Sequence, residues 1–130
     1  MLTPTFIYTN LVNNLKNKFE IKGIVNITGG GLTENTPRVF PEDIICEIDL
    51  SSWKKPNIFK LIQEKGNLDI KEMLRTFNNG IGMVFIISEK DSSDFISEIE
   101  KHNHKGSNIG KIIIDKNNKE KVIYKGDYYA

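Results

Sequence analysis

The sequence predicts an α+β domain, and three observations carry that expectation. Apolar residues recur at helical spacing in several segments, short runs rich in Ile and Val lie between them, and Gly, Pro and Asn punctuate the joins. The 130-residue length suits one domain and leaves little room for a second. Hydrophobic residues make up 38% and charged residues 27%, a balance that fits a folded chain and excludes a disordered tail.

Thr3-Pro4 reads as an N-cap with proline in the first turn. Ile7, Leu11, Leu15 and Phe19, widened by Val12, then form an apolar stripe that predicts a helix over residues 4–18. Ile21 to Thr28 follows as a strand, with Ile24, Val25 and Ile27 inward, and it runs directly into Gly29-Gly30-Gly31. A short helix is expected from Leu32 to Val39, limited by Pro37 and closed by Pro41. Asp43 to Leu50 alternates as a second strand.

Ser51-Ser52 offers a cap for a helix holding Trp53, Ile58, Phe59 and Ile62 and ending at Gly66. Asp69 can cap another, carrying Ile70, Met73, Leu74 and Phe77, and Asn78-Asn79-Gly80 is a turn by composition. Gly82 to Ile87 is the most hydrophobic strand and is expected at the centre of the sheet. Ser92 and Ser93 precede a helix with Phe95, Ile96 and Ile99, which exits through His102 to Gly106. Ile109–Ile114 and Lys121–Tyr124 flank Asn117-Asn118 as an expected hairpin. These elements make a single domain over residues 1–130, with helices packed on a mixed sheet.

With 18 basic and 17 acidic residues the formal charge is +1, so the basic excess that a nucleic-acid partner would require is missing. The longest apolar run, Met83 to Ile87, is far short of the roughly 20 residues that cross a bilayer, and no signal peptide is visible; no membrane association is expected. The single Cys46 excludes an internal disulfide framework and fits a reducing compartment, hence a cytoplasmic protein.

Thr28-Gly29-Gly30-Gly31 is the strongest site signal. Glycines at a strand-to-helix junction let the backbone take positive φ and bring N–H groups close to a ligand, and the following helix start favours an anion, most often phosphate. The bland alternative is a tight turn. The segment is neither a Walker loop, since no Gly-Lys-Ser/Thr follows, nor a dinucleotide fingerprint, since Glu34 stands where that motif needs glycine. Of the 18 cations only Arg38 and Arg75 are arginine, which in so lysine-biased a chain marks places where the planar guanidinium fork matters. Arg38 either pairs with Glu34 four residues earlier or turns to the same anion as the glycines. Arg75 sits where a helix meets a strand, as a ligand contact or as a cation at the helix end. His102 and His104 match zinc spacing poorly, so no metal is expected there. Cys46, Trp53, Phe59 and Phe77 read as core.

Thr28-Gly-Gly-Gly-Leu-Thr-Glu-Asn-Thr-Pro-Arg-Val-Phe-Pro41 closely resembles the glycine-rich signature of aminoimidazole ribonucleotide synthetase, also called phosphoribosylformylglycinamidine cyclo-ligase. Gly66-Asn67, Glu72-Met73-Leu-Arg-Thr-Phe-Asn78, Gly80-Ile-Gly-Met83 and Asp49-Leu-Ser-Ser-Trp53 with Pro56 and Phe59 are similar to the same family, as is the first helix with Pro4, Ile7 and Tyr8. The resemblance covers essentially the whole chain but only the C-terminal half of the family enzyme; the N-terminal nucleotide-binding half has no counterpart here. It implies a three-layer α/β/α domain with a mixed, largely antiparallel sheet.

The activity it implies is ATP-dependent closure of the imidazole ring in purine biosynthesis, with this chain forming half of the cleft. ATP and magnesium would be held mainly by the N-terminal half. Partners implied are a small nucleotide substrate, that N-terminal half docking on an apolar face, and a second copy in a full-length homodimer. Thr28, Gly29, Gly30 and Gly31 would offer amides to phosphate, Arg38 and Arg75 would be charge partners, and Asn35 and Asn78 would hydrogen-bond or fix the loops. The family commonly has His where this chain has Asn26, and Cys where it has Asn79. Asparagine cannot serve as a general base, so proton transfer at position 26 is not expected. The alternatives are an isolated phosphate-ligand module and a non-catalytic gene remnant, and no ring closure is expected from the 130-residue chain alone.

Overall fold

A computed structural model describes residues 2–130. In chain order the regular elements are α1 (Thr9–Lys18), β1 (Ile21–Asn26), α2 (Gly31–Asn35) continued by a 3-10 turn (Thr36–Val39), β2 (Ile44–Asp49), α3 (Asn57–Gly66), α4 (Ile70–Thr76), β3 (Met83–Ile87), a 3-10 turn (Glu89–Asp91), α5 (Ser92–Lys101), β4 (Gly110–Ile114) and β5 (Val122–Lys125). The α+β class expected from the sequence is what forms. The chain divides into two compact units: one takes the chain up to Ile24 with Phe85–Asn108, the other Val25–Val84 with Ile109–Ala130.

The smaller unit is built on α1 and α5. Leu11 and Leu15 from α1 meet Phe95 and Ile99 from α5, with Phe19, Ile21, Phe85 and Ile87 around them. Phe95 receives Phe19 and Phe85 edge-on, at centroid distances of 5.1 and 5.2 Å. The helix expected over residues 4–18 begins only at Thr9. Thr3 to Tyr8 is almost wholly β-branched or aromatic, residues that lose side-chain freedom in a helix. Ile7, which the stripe assigned to the core, is 87% exposed. His104 lies among the rings of Phe6 and Tyr8, while His102 Nε2 lies 3.4 Å from Glu98 Oε1. Neither histidine belongs to a metal-competent cluster among the described residues.

The larger unit holds a three-stranded sheet in the order β4-β2-β5. β2 runs antiparallel to β4, with Ile44 opposite Ile114 and Ile48 opposite Gly110, and parallel to β5, with Cys46 opposite Val122 and Asp49 opposite Lys125. Its core joins Val25, Ile27, Leu32, Ile48, Trp53, Met73 and Leu74. Cys46 is buried in it, and that burial pushes its thiol up to about 11, which leaves it an unreactive core group.

Three expectations about these elements are corrected. β4 and β5 do not form a hairpin, because β2 lies between them. A two-residue type I′ turn needs positive φ at both centres, and neither Asn117 nor Asn118 has it. Instead Asp115 Oδ1 and Asn118 Oδ1 accept from the N–H groups of Asn117 and Glu120, rounding a wider connection. β3 is not central: among the described residues it pairs with β1 alone, in a two-stranded sheet, and it is half-buried throughout. β2, with both neighbours in place, is the central strand of its sheet. Trp53 precedes α3 rather than lying in it, since Pro56 disfavours helical backbone at Lys55 and itself takes the N-cap place. Asp69 caps α4 as expected, its Oδ1 accepting from Glu72 N–H at 2.8 Å.

Candidate phosphate site at the glycine loop

The loop between β1 and α2 is organised from within by one carboxamide. Asn35 is 1% exposed, and its Nδ2 donates to the carbonyls of Thr28, Gly29 and Gly31 at 3.3, 3.2 and 2.8 Å. Its Oδ1 accepts from Thr28 Oγ1 at 3.2 Å. All four contacts come from a residue at the end of the five-residue α2, whose side chain reaches back over the loop that starts it. The loop is therefore held without any charged group.

The three glycines do different work. Gly30 has φ +100° and Gly31 φ +57°, backbone that side-chain-bearing residues rarely adopt. A Cβ on Gly31 would sit 2.1 Å from Leu74 O and 2.7 Å from Phe77 O, so glycine there lets the loop lie against the end of α4. Gly29 has neither constraint: it is exposed, its φ is ordinary, and a Cβ on it would meet nothing within 4 Å. Turn geometry explains two glycines of the triplet and leaves the third with open space. The Gly31 N–H is engaged, donating to Thr28 O at 3.0 Å.

Arg38, on the 3-10 turn after α2, is exposed and makes no ion pair among the described residues. The expected pairing of Glu34 with Arg38 does not form. Glu34 Oε1 instead accepts from Arg75 Nε at 2.9 Å, which ties α2 to α4 and raises the pKa of the guanidinium above its ordinary value. Both side chains are largely exposed, so solvent screens the pair. Arg38 is consequently the cation of this neighbourhood that carboxylates leave uncommitted. Asn78 shapes the turn after α4, its Oδ1 accepting from Gly80 N–H at 3.0 Å. Asn26 is exposed at the end of β1.

Asn79, singled out in the sequence only as standing in place of a cysteine, organises the far side of α4. It is 0% exposed with φ +50°. Its Nδ2 donates to Met73 O and Phe77 O, both at 2.9 Å, its Oδ1 accepts from Tyr128 O–H at 2.6 Å, and its carbonyl accepts from Trp53 Nε1–H at 2.9 Å. Phe77 O is also a carbonyl that Gly31 approaches, so one peptide group borders both buried asparagine networks. The Asn-Asn-Gly string signalled the turn; nothing local signalled that the middle side chain would point inward.

Tyr124 and Thr33 complete the bracing. Their hydroxyls are 2.8 Å apart, joining β5 to α2, and burial pushes the Tyr124 phenol up to about 12. Thr36 Oγ1 is buried with no hydrogen-bond partner among the described residues.

Fold and site together define an α+β domain whose strand-to-helix junction is a glycine loop cradled by a buried carboxamide. The chain belongs to the family described as AIR synthase related protein, C-terminal domain, whose model matches residues 1–123. It is 46% identical over 112 residues to the phosphoribosylformylglycinamidine cyclo-ligase of Syntrophus aciditrophicus, covering 86% of this chain and 32% of that protein. It is 44% identical to the same-named protein of Trichlorobacter lovleyi, over 95% of this chain and 36% of the relative. A third relative is the bifunctional purine biosynthetic protein purD of Dictyostelium discoideum, 43% identical over 96% of this chain and 16% of that protein. The chain thus spans about a third of the length of the cyclo-ligases it matches. Among the described residues no helix is long and apolar enough to cross a membrane.

Proposed function

We propose that this chain supplies the C-terminal half of a phosphoribosylformylglycinamidine cyclo-ligase active site, and that Thr28 to Gly31 with Arg38 receives a phosphate group. The observation that carries the reading is Gly29, the glycine of a family-matched loop that the loop's own geometry does not require. Bare backbone beside open space is what close approach of an anion needs.

In this reading ATP, with magnesium, supplies the phosphoryl group that activates a formyl oxygen for ring closure. The magnesium ligands fall, in this reading, to the part of the relatives that this chain does not span. The work of this chain is positioning and charge neutralisation. The loop amides other than that of Gly31 and the Arg38 fork hold phosphate in place, Arg75 keeps Glu34 occupied so that its carboxylate does not compete with the anion for Arg38, and Asn35 keeps the loop rigid. No general base is assigned at Asn26, because an amide does not take up a proton near neutral pH. The three-layer α/β/α arrangement and pairing of full-length copies belong to the same proposal.

The test has two arms. The chain alone should give no ATP-dependent ring closure, and adding a separately expressed N-terminal half should restore it. In parallel, inorganic phosphate or ADP should shift the amide resonances of Gly29 to Leu32, and Arg38→Lys should weaken that binding by about 1–2 kcal/mol. Silent amides in that segment while others move would remove the phosphate assignment. Anion binding without complementation would leave a phosphate-ligand module in place of an enzyme half.

A further inference from the structure

The larger unit carries a concavity of about 700 Å³ whose lining includes none of the glycine-loop residues. β2 and β5 run parallel and adjacent, and the chain beyond both of their carboxyl ends lines it: Ser51 to Asn57 after β2, and Tyr128 to Ala130 after β5. A crevice outside the carboxyl ends of neighbouring parallel strands is where open α/β sheets bind ligands, and this volume is of ligand size.

Its walls are of two kinds. One is aromatic. Trp53 is buried, with Lys55 Nζ 4.2 Å from its ring centroid and 5.1 Å from that of Tyr128, so the Trp53 face is already covered. Tyr129 is 56% exposed, yet it is held in place edge-on to Tyr128 and by a hydrogen bond from its hydroxyl to Gln63 Oε1. It is a fixed ring with a free face. The other wall is cationic. Lys55 donates to Leu50 O and is answered electrostatically by Asp127 and Asp49, so it is committed to the fold. Lys54 makes no ion pair among the described residues, and Lys60 has only a loose 4.0 Å approach to Glu64. Two exposed ammonium groups therefore line the same open cleft as a braced aromatic ring.

We infer that this cleft is a binding site for a planar aromatic anion of the nucleoside-phosphate class, with the ring stacked on Tyr129 and the phosphates met by Lys54 and Lys60. Stacking on an exposed aromatic side chain and pairing with lysine are the two contacts such a ligand makes when no base-specific readout is present. The family match ends at residue 123, so Tyr128 and Tyr129 lie outside the matched segment. The inference does not rest on the role proposed for the glycine loop.

Trp53 is the only tryptophan of the chain and lines the cleft, so its fluorescence is the reporter. Titration of the full chain with ADP should change that emission saturably, while adenosine and inorganic pyrophosphate should each bind about tenfold more weakly, because each offers only one of the two contacts. The double variant Lys54→Gln/Lys60→Gln and the single variant Tyr129→Leu should each weaken ADP by about the same factor; thermal melting should be unchanged in the lysine variant, whose side chains are exposed, and slightly lowered in Tyr129→Leu, which loses the Gln63 contact. Gly29→Ala should leave the response intact. The inference is overturned if ADP produces no saturable change, if neither variant alters its affinity, if pyrophosphate binds as tightly as ADP, or if Gly29→Ala abolishes the signal.

Discussion

In the smaller unit the buried polar group is a carboxylate. Glu98 is 7% exposed and is met by Lys18 at 2.6 Å, Lys101 at 3.4 Å and His102 at 3.4 Å. In the larger unit the buried polar groups that organise structure are neutral amides, Asn35 and Asn79, each bonded to several backbone carbonyls. The difference follows from what each must hold. Glu98 joins side chains of two helices whose backbones are already satisfied, and an ion cluster does this at the cost of pH sensitivity. The amides hold irregular backbone, in the glycine loop and in the turn after α4, where one carboxamide can donate to carbonyls of successive peptides that no regular ladder ties together. The bracing amides add no charge at the candidate anion site, and the Glu34 carboxylate that lies against Gly30 is paired with Arg75.

The sharpest way to break this comparison is Asn79→Ala. It removes the side-chain partner of Phe77 O and of the Tyr128 hydroxyl, takes the second donor from Met73 O, and puts alanine at positive φ. We expect a loss of about 4 kcal/mol, with little dependence on pH. Denaturant titration read by Trp53, which lies only in the larger unit, measures it; a loss below about 1 kcal/mol would show that water replaces the amide.

Glu98→Gln tests the other side. Its neighbouring ammonium groups, with Lys18 foremost, hold the Glu98 carboxyl below the usual carboxylate range. A lowered folded-state pKa contributes stability that is present above the unfolded value, about 4.3, and is lost as pH falls through the folded value. The wild type should therefore lose stability on acidification below about pH 4, and the variant should lose less over the same window. Some acid sensitivity should remain, because Glu47, hydrogen-bonded to Lys125, and Asp49, hydrogen-bonded to Ser51, are lowered too. Amide exchange in α1 and α5 followed against pH reads the smaller unit, and identical acid limbs for the two proteins would dismiss Glu98 as its pH-sensitive element.

Thr36→Val sharpens the picture from the stabilising direction. Its buried hydroxyl lacks a partner, so an apolar group of the same shape should raise stability by about 1 kcal/mol. A fall in thermal midpoint would mean that the hydroxyl is satisfied in solution. The smallest expected effect is at Gly29→Ala, within about 0.5 kcal/mol of wild type because the new methyl meets nothing. That variant should nonetheless lose phosphate affinity at the loop, and retained affinity by amide titration would count against close approach at Gly29.

Local signals made much of the molecule readable. Asp69 before an apolar-periodic segment foretold the cap of α4, and the Gly-Gly-Gly string foretold a strand-to-helix junction, both set within a few residues by backbone sterics. Periodicity misled where it ignored propensity, as at Ile7, and turn composition misled at Asn117-Asn118, where the backbone needed for a tight hairpin is not adopted. Hydrophobicity misplaced β3, because an apolar run reports demand for burial but not which strand receives two neighbours. The candidate site was legible as a list of residue types and not as partnerships: Glu34 and Arg38 are one helical turn apart, yet Arg75, 41 residues away, takes the carboxylate.

By itself the sequence determined the α+β class, the family and the loop with its freedom to bend, because these depend on local sterics and on motifs spaced along the chain. Tertiary structure alone decided which glycine of the triplet is left without a structural duty, which cation keeps its charge uncommitted, and that Asn35 and Asn79 face inward. Those outcomes depend on what a distant segment brings to within hydrogen-bonding distance, and no spacing along the chain encodes it.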